Sequence, residues 1–367
     1  MARQHNFSAG PAALPQSVLE ELQQAILEFG DAGAGIMELS HRGAAFSEVI
    51  EQAEQRLRSL LSIPKDYAVL FLQGGASMQF YMSALNLNGP DEAADYLVTG
   101  TWSQKAVKEA KRVSDAKAIW DGAECQFRSL PSADNFSVRE EANYVHYTTN
   151  NTIYGTQWAA LPDTGDTPLV ADMSSDICCR PVDLTRHGVL YAGAQKNLGP
   201  SGVTVVILSP WALEQSQKSS QARPGGLPSM LDYALMADKQ SMFNTPNTWG
   251  IYALERTLAW IESQGDLASM EAANQAKAQT LYDELDRSEF WTPHADTNVR
   301  SLMNVTWRSP SAELDTQFIK QAGESGLNSL KGHRSIGGIR ASIYNACPAE
   351  SVNALVEFMR DFEAKQG

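Results

Sequence analysis

The chain has 367 residues, of which 43% are hydrophobic and 20% are charged, and these proportions exclude an intrinsically disordered protein. Its formal net charge of −14 excludes a nucleic-acid or anionic-membrane partner, because either would need an extended basic surface. The four cysteines show no C-x-x-C spacing, which predicts free thiols and no metal site, and the N-terminus lacks a signal-peptide core, so we expect a cytoplasmic protein.

Short β-rich runs alternate with helical patterns between residues 68 and 208, which is typical of a parallel sheet with crossover helices. At roughly 100–200 residues per domain, the length predicts two domains, and this α/β half is the first. The predicted strands span 68–72, 96–98, 144–147, 168–171, 189–192 and 203–208, with helices at 78–87 and from 102 to about 113.

The C-terminal part of the chain has a different pattern. A stretch rich in Ser, Gln, Gly and Pro at 215–228 predicts a long loop. Apolar residues at helical spacing predict amphipathic helices at 248–263 and 267–285. Predicted strands near 301–307 and 338–343, with helices near 314–323 and from 349 onward, indicate a smaller α+β domain.

Lys196 follows a predicted strand and stands among small residues. A lysine at a strand end can be desolvated, which lowers the pKa of its amine toward the range where it is nucleophilic and can form a Schiff base. The alternative is a surface lysine in a turn. Asp172 favours the first interpretation, because it closes another strand of the same half and ligands gather at the carboxyl ends of parallel strands.

The carboxylate of Asp172 can keep a pyridine nitrogen protonated, which makes such a ring an electron sink. The alternative is that Asp172 caps the N-terminus of a helix that runs from Ser174 onward. The glycine turn at 73–77 follows a strand and opens a helix, so its backbone N–H groups can bind a phosphate, although it lacks the ending of a nucleotide P-loop. Trp102 either stacks on a flat heteroaromatic ring or belongs to the core.

Cations are sparse but occur in pairs. His41 and Arg42 precede a predicted helix, and His333 and Arg334 lie close in sequence to Arg340. The guanidinium group suits carboxylates and phosphates, so these residues predict a substrate with an anionic group at each end. The alternative is ordinary solvation of surface arginines.

Seven segments carry a resemblance to a known family: 6–11 (NFSAGP), 40–43 (SHRG), 100–102 (GTW), 191–197 (YAGAQKN), 241–246 (SMFNTP), 331–334 (KGHR) and 340–345 (RASIYN). Over essentially its whole length the chain resembles the phosphoserine aminotransferase family, in the class V group of fold-type I pyridoxal phosphate (PLP) enzymes. The resemblance implies the α/β fold of these transferases. A large PLP-binding domain at 16–258 would hold a mostly parallel seven-stranded sheet, and 1–15 with 259–367 would form a small α+β domain.

Site residues are implied by matching positions. Lys196 would bind PLP covalently and move the proton from the substrate Cα to C4′ of the cofactor, and Asp172 would pair with the pyridinium. The other implied cofactor contacts are Ala76, Ser77, Trp102, Thr152 and Gln195, with Asn244 and Thr245 from a partner subunit. The implied substrate contacts are Ser8, His41, Arg42 and Arg340, with His333 and Arg334 from the neighbouring chain.

The implied reaction is a ping-pong transfer in a homodimer with shared active sites. L-Glutamate gives its amino group to 3-phosphohydroxypyruvate, which forms O-phospho-L-serine for serine biosynthesis. By the same resemblance, some members also act on a phosphorylated hydroxythreonine in pyridoxine biosynthesis. Two positions depart from the family pattern: Ser77 stands where some relatives have arginine, and Asn151 where many have glutamate.

Two other functions are alternatives to this one. Another class V enzyme, such as a serine–glyoxylate aminotransferase or a cysteine desulfurase, is the first. A desulfurase needs an exposed nucleophilic cysteine on a mobile loop, for which Cys347 beside Pro348 is a poor candidate. The second is a non-catalytic α/β protein that binds a phosphorylated ligand.

Overall fold

The central feature is a seven-stranded sheet, seen in a computed structural model that describes residues 3–366. A short strand, β1 (His5–Asn6), precedes it. The sheet strands are β2 (Ala68–Leu72), β3 (Ala93–Val98), β4 (Asp115–Asp121), β5 (Ala142–Thr148), β6 (Leu169–Asp172), β7 (His187–Gly193) and β8 (Thr204–Leu208). Their order is β2-β8-β7-β6-β5-β3-β4, and β8 alone runs antiparallel to its neighbours. The predicted mostly parallel seven-stranded sheet is confirmed.

Of these strands, β4 was not predicted from the sequence. It lies at the edge of the sheet, pairs with β3 alone among the strands of residues 3–366, and exposes charged residues such as Asp115 and Lys117. An edge strand that is solvated on one side lacks the apolar run that marks a buried strand, and charges on it discourage pairing with another chain.

Helices cover both faces of the sheet. They are α1 (Gln16–Leu27), α2 (Ala44–Leu61), α3 (Gly75–Leu87), α4 (Thr101–Ala110), α5 (Pro210–Gln221), α6 (Tyr233–Asp238), α7 (Thr248–Ser263), α8 (Leu267–Arg287), α9 (Ala312–Glu324) and α10 (Ala349–Gln366). α1, α2 and α7 bury their apolar faces in one core on the sheet, whereas α3 to α6 form a second core on the other face. No helix within residues 3–366 is long and apolar enough to cross a membrane.

The loop predicted at 215–228 is wrong over its first half, because α5 continues to Gln221. Ser209 caps this helix by accepting a hydrogen bond from the backbone N–H of Ala212. The polar residues that indicated a loop form hydrogen bonds with α3 instead. Ser216 Oγ donates to Asn86 Oδ1 at 2.8 Å, and Ser219 Oγ donates to the Leu85 carbonyl at 2.7 Å. Buried serines that find such partners are compatible with a packed helix.

A third core lies in the C-terminal part of the chain. The antiparallel strands β9 (Thr292–Pro293), β10 (Asn304–Arg308) and β12 (Ile339–Ser342) pack against α8, α9 and α10, and β11 (Leu327–Asn328) pairs with β1. The predicted boundary after residue 258 falls within α7, and the division at 16–258 stays a prediction. Residues 1, 2 and 367 of the predicted small domain lie outside the described residues.

Candidate active site

Three neighbouring strands end at one edge of the sheet, and the turns after them carry the predicted catalytic residues. β5 ends at Thr148, β6 at Asp172 and β7 at Gly193, and their parallel pairing places these ends side by side. The loop 149–157 follows β5, and the turn 194–198 follows β7. The two segments meet where Lys196 Nζ donates a hydrogen bond of 2.7 Å to Thr152 Oγ1.

The surroundings of Lys196 remove its amine from bulk water. Gly10 lies against its aliphatic stem: a Cβ added to this glycine would lie 3.3 Å from Lys196 Cγ, and its φ of +132° favours glycine. Burial lowers the pKa of Lys196 to about 8, the Asp172 carboxylate opposes this shift, and the Arg340 guanidinium adds to it. An amine with this pKa is partly uncharged near neutral pH, as nucleophilic attack requires.

Asp172 is buried, and only one of its two carboxylate oxygens accepts hydrogen bonds from residues 3–366. Oδ1 accepts hydrogen bonds from the backbone N–H (3.0 Å) and the hydroxyl (2.6 Å) of Ser174. Oδ2 has no hydrogen-bond partner among the residues that the structure describes. Burial raises the pKa of Asp172, although the bonds from Ser174 and the charge of Lys196 lower it. A cationic donor at Oδ2 would therefore compensate the buried carboxylate.

The glycine turn after β2 leaves backbone N–H groups free at the start of α3. Gly74 is the N-cap residue, with φ of +93°, and it has no side chain to cap the helix. The orphan N–H groups and the helix dipole at this end favour an anion. Leu72 and Gly193 both pair with Thr204, so the turn lies at the same sheet edge as the turn 194–198. Ala76 and Ser77 lie on the glycine turn, and Gln195 lies on the turn after β7.

Trp102 lies in the first turn of α4 and is half-buried. Its indole Nε1 is buried without a hydrogen-bond partner among the described residues, and Lys105 Nζ lies 4.4 Å from the ring centroid. Asn151 connects this region to the loop after β5, because its Nδ2 donates to the hydroxyls of Thr99 (3.1 Å) and Thr156 (2.9 Å). Asn151, a departure from the family pattern, thus joins the turn before Trp102 to the loop that carries Thr152.

Arg340 on β12 faces the same loop. Its Nη1 donates to the Thr152 carbonyl over a long 3.3 Å, and its Nε is buried without a partner within residues 3–366. Burial lowers the pKa of Arg340. A guanidinium with unused donors in a half-buried position suits a carboxylate, which would accept two parallel hydrogen bonds.

The remaining predicted residues lie in outer segments and make no hydrogen bond to Lys196, Asp172 or Arg340 within the described chain. Most of them are half-buried or exposed, and they are Ser8, His41, Arg42, Asn244, Thr245, His333 and Arg334. The pKa of His333 is lowered by burial and then by the charges of Arg340, Arg334 and Lys105. His333 therefore lies in a positive field beside Arg340.

Ser174 was not singled out from the sequence, although the structure gives it the closest contacts to Asp172. Its hydroxyl also accepts a hydrogen bond of 3.1 Å from the backbone N–H of Gly193, which joins the ends of β6 and β7. The signal was available, because a serine two residues after an aspartate commonly bonds back to that carboxylate. No group of His, Cys, Asp or Glu able to hold a metal ion is found in the part of the chain described.

Comparisons with known proteins show the sequences and structures that this chain resembles. Residues 4–355 match the family model described as aminotransferase class-V. The phosphoserine aminotransferase of Lysinibacillus sphaericus (strain C3-41) is 50% identical over 364 residues, which cover 99% of each chain. The solved phosphoserine aminotransferase from Bacillus circulans subsp. alkalophilus has a TM-score of 0.94 and 46% identity over 100% of this chain and 99% of that chain. A PLP-bound phosphoserine aminotransferase from Trichomonas vaginalis has a TM-score of 0.91 and 37% identity over 98% and 100%.

Proposed function

The chain belongs to the class-V aminotransferase family, and within it to the phosphoserine aminotransferases, and we propose that it transfers the amino group of L-glutamate to 3-phosphohydroxypyruvate. The products are O-phospho-L-serine and 2-oxoglutarate, which places the enzyme in serine biosynthesis. The observation that carries the proposal is the convergence of Lys196 and Arg340 on Thr152, with the free oxygen of Asp172 at the same sheet edge.

The enzyme is a PLP-dependent transaminase, and the residues of the site fit this cofactor. When bound, PLP supplies an aldehyde that captures amines and a ring that accepts the electrons of a breaking Cα–H bond. Asp172 Oδ2 would hold the proton of the ring nitrogen, which compensates a carboxylate that is otherwise half-satisfied. Trp102 would stack on the ring, and Thr152 would reach its hydroxyl. The free N–H groups at Ala76 and Ser77, with Gln195, would hold the phosphate.

Lys196 would bind the cofactor and then act as the base. An amine whose pKa is about 8 can accept a proton from the substrate Cα and release it to C4′ near neutral pH. Arg340 would bind the α-carboxylate and so orient the Cα–H bond toward the amine. Both half-reactions would use these residues in the same pocket, because both substrates carry an α-carboxylate.

The distal anionic group distinguishes the proposed substrates from glyoxylate. His41 and Arg42, with His333 and Arg334 from a neighbouring chain, would bind the phosphate of phosphoserine or the γ-carboxylate of glutamate. Ser8 would complete the substrate contacts. Action on a phosphorylated hydroxythreonine, for pyridoxine biosynthesis, is part of the same proposal.

A homodimer with shared active sites would supply Asn244 and Thr245 to the cofactor phosphate of the other subunit. Large apolar side chains stand at the surface next to the residues concerned: Phe243 is 40% exposed beside Asn244, and Met78 is 39% exposed beside Ser77. In such a homodimer the other subunit would cover these exposed apolar side chains. The cytoplasmic location stays a prediction.

Turnover of competing substrates tests the proposal. With L-glutamate as donor, kcat/KM for 3-phosphohydroxypyruvate should exceed that for glyoxylate by roughly a hundredfold or more, because a charge-assisted bond to the distal group is worth up to about 3 kcal/mol. In the variant Arg42→Met, this preference should fall while kcat/KM for glyoxylate stays near that of the wild type, because in a ping-pong reaction this constant reports only the half-reaction with glyoxylate. A wild-type preference for glyoxylate would reject the phosphoserine assignment.

A further inference from the structure

We propose that Asn304, a buried residue outside the predicted site, positions Arg340 for the substrate carboxylate. The inference rests on the carboxylate-binding role proposed above for Arg340. Asn304 opens β10 and is fully buried, so no substrate atom can reach it. Any effect on the reaction must therefore pass through its neighbours.

Arg340 is held weakly by its own hydrogen bonds. The Thr152 carbonyl accepts the one bond that its guanidinium makes to residues 3–366, at 3.3 Å, and Nε has no partner there. One long hydrogen bond does not hold a long side chain in place, so the placement of its backbone has to help position the guanidinium. The position of the guanidinium therefore depends on how β12 is placed against the loop 149–157.

The side-chain amide of Asn304 joins these two segments. Oδ1 accepts a hydrogen bond of 2.8 Å from Asn150 Nδ2, which lies two residues before Thr152. Nδ2 donates to Ser342 Oγ at 2.9 Å and to the Tyr344 hydroxyl at 3.2 Å. One buried amide thus connects the loop that contacts Lys196 with the strand that carries Arg340.

The register of β10 with β12 places the hydrogen bond between Asn304 and Ser342 close to Arg340. Asn304 pairs with Ser342, and Thr306 pairs with Arg340. Because side chains two residues apart on a strand point to the same face, Ser342 and Arg340 project on one side of β12. Thr306 adds a second connection on that side, since its hydroxyl donates to the Tyr154 carbonyl at 3.0 Å.

The two amides permit only one arrangement. Asn150 Nδ2 donates to Ser175 Oγ (2.8 Å) as well as to Asn304, and Asn150 Oδ1 accepts from Ser301 Oγ at 2.5 Å. Rotating either amide by half a turn would bring two donors or two acceptors together in the core. A buried network that is satisfied in one way specifies a unique geometry, which is what positioning requires.

The variant Asn304→Ala in the PLP-loaded enzyme tests the inference. Titration calorimetry with 2-oxoglutarate, which has no amino group to transfer, measures carboxylate binding without turnover. We expect its Kd to rise about tenfold, because a displaced guanidinium loses the aligned bonds to the carboxylate. The visible absorption band of the bound cofactor should persist, because neither Lys196 nor Asp172 makes a hydrogen bond to Asn304.

A double-mutant cycle separates positioning from general destabilisation. In the background Arg340→Met, adding Asn304→Ala should weaken 2-oxoglutarate binding no further. Asn86→Ala is the matched control, because this buried asparagine donates to the carbonyls of Met82 (2.8 Å) and Leu231 (2.7 Å) away from the site. It should lower the urea midpoint and leave the Kd unchanged. If Asn304→Ala does not fold, Ser342→Ala should show a smaller increase in Kd.

Two results would overturn the inference: a Kd within twofold of the wild type in both Asn304→Ala and Ser342→Ala, or the same loss with and without Arg340. In either case Arg340→Met would still weaken binding, and the proposed function would stand. If Arg340→Met leaves 2-oxoglutarate binding unchanged, the carboxylate role of Arg340 fails, and the inference fails with it.

Discussion

Two lysines of this chain, the half-buried Lys196 and the buried Lys277, have similarly lowered pKa values but different hydrogen-bond partners. Burial lowers the pKa of Lys196 and that of Lys277 to about 8. Lys196 Nζ donates to the Thr152 hydroxyl, whereas Lys277 Nζ donates to the backbone carbonyls of Ile343, Tyr344 and Cys347, at 3.3, 2.8 and 3.1 Å.

Three acceptors match the three protons of an ammonium group, so deprotonation of Lys277 would leave a buried carbonyl unpaired. Lys196 can lose a proton without that cost. A lowered pKa therefore does not by itself identify a reactive amine. Unused hydrogen-bonding capacity is what separates a lysine that can do chemistry from one that joins parts of the structure.

The largest expected effect comes from removing the amine of Lys196. Lys196→Ala should lower kcat by up to about 10⁴-fold, because the variant loses the base that moves the Cα proton. Steady-state turnover with L-glutamate and 3-phosphohydroxypyruvate measures this loss. Borohydride treatment of the wild-type enzyme should abolish its visible cofactor band, whereas the variant should have no band that responds. A variant that kept both its turnover and its band would end the proposed mechanism.

Asp172→Asn should have the next largest effect. The amide cannot supply the negative charge that holds the ring proton, and a bond to a charged group is worth up to about 3 kcal/mol, so kcat should fall roughly a hundredfold. Asp176→Asn is the control, because the carboxylate of Asp176 is buried nearby but already accepts bonds from Thr149 and Gln157. Equal losses of kcat in the two variants would contradict the importance of the free oxygen.

Lys277→Met should change stability and leave catalysis nearly unchanged. The variant keeps an apolar stem but loses the donor to the Ile343 and Cys347 carbonyls, whereas the Tyr344 carbonyl still accepts a bond from the backbone N–H of Cys347. The free energy of unfolding should therefore fall by about 3 kcal/mol. Urea unfolding followed by fluorescence measures the change. A large loss of kcat with normal stability would contradict the structural role assigned to Lys277.

The pH dependence of chemical modification should also separate the two amines. Only the uncharged amine reacts, so its reactive fraction rises about tenfold per pH unit below the pKa and levels off above it. For the cofactor-free enzyme, labelling of Lys196 by a small acylating reagent should therefore rise up to about pH 8. Lys277 should stay unlabelled, because its donors are occupied. Mass spectrometry of the labelled peptides checks both, and labelling of Lys277 at the same rate would refute the distinction.

The smallest effect is expected for Ser174→Ala. Its hydroxyl provides one of two bonds to Asp172 Oδ1, and the backbone N–H provides the other, so the carboxylate should stay in place. Loss of one such bond costs about 1 kcal/mol, and kcat should fall about fivefold. Ser83→Ala, which removes a buried hydroxyl bonded to the Gln79 carbonyl, is a control that should not change kcat.

Several elements could be predicted because their signals are local. The helix α7 matches the predicted 248–263, and β2 matches 68–72, since apolar periodicity depends on neighbouring residues. The positions of Lys196 and Asp172 at strand ends follow from the same patterns. β4 and α5 were not predicted, because an edge strand and a helix with buried serines lack those patterns.

The sequence alone was enough to establish six of the seven strands of the central sheet, the residue types at the strand ends and the family of the chain, since each depends on short segments. It did not reveal which buried polar atoms keep an unused bond. Asn150 and Asn304 bond across 154 residues of sequence, and Lys277 finds its acceptors more than 60 residues away. Hydrogen-bond satisfaction is a property of packed neighbours, so the difference between Lys196 and Lys277 exists only in the folded chain.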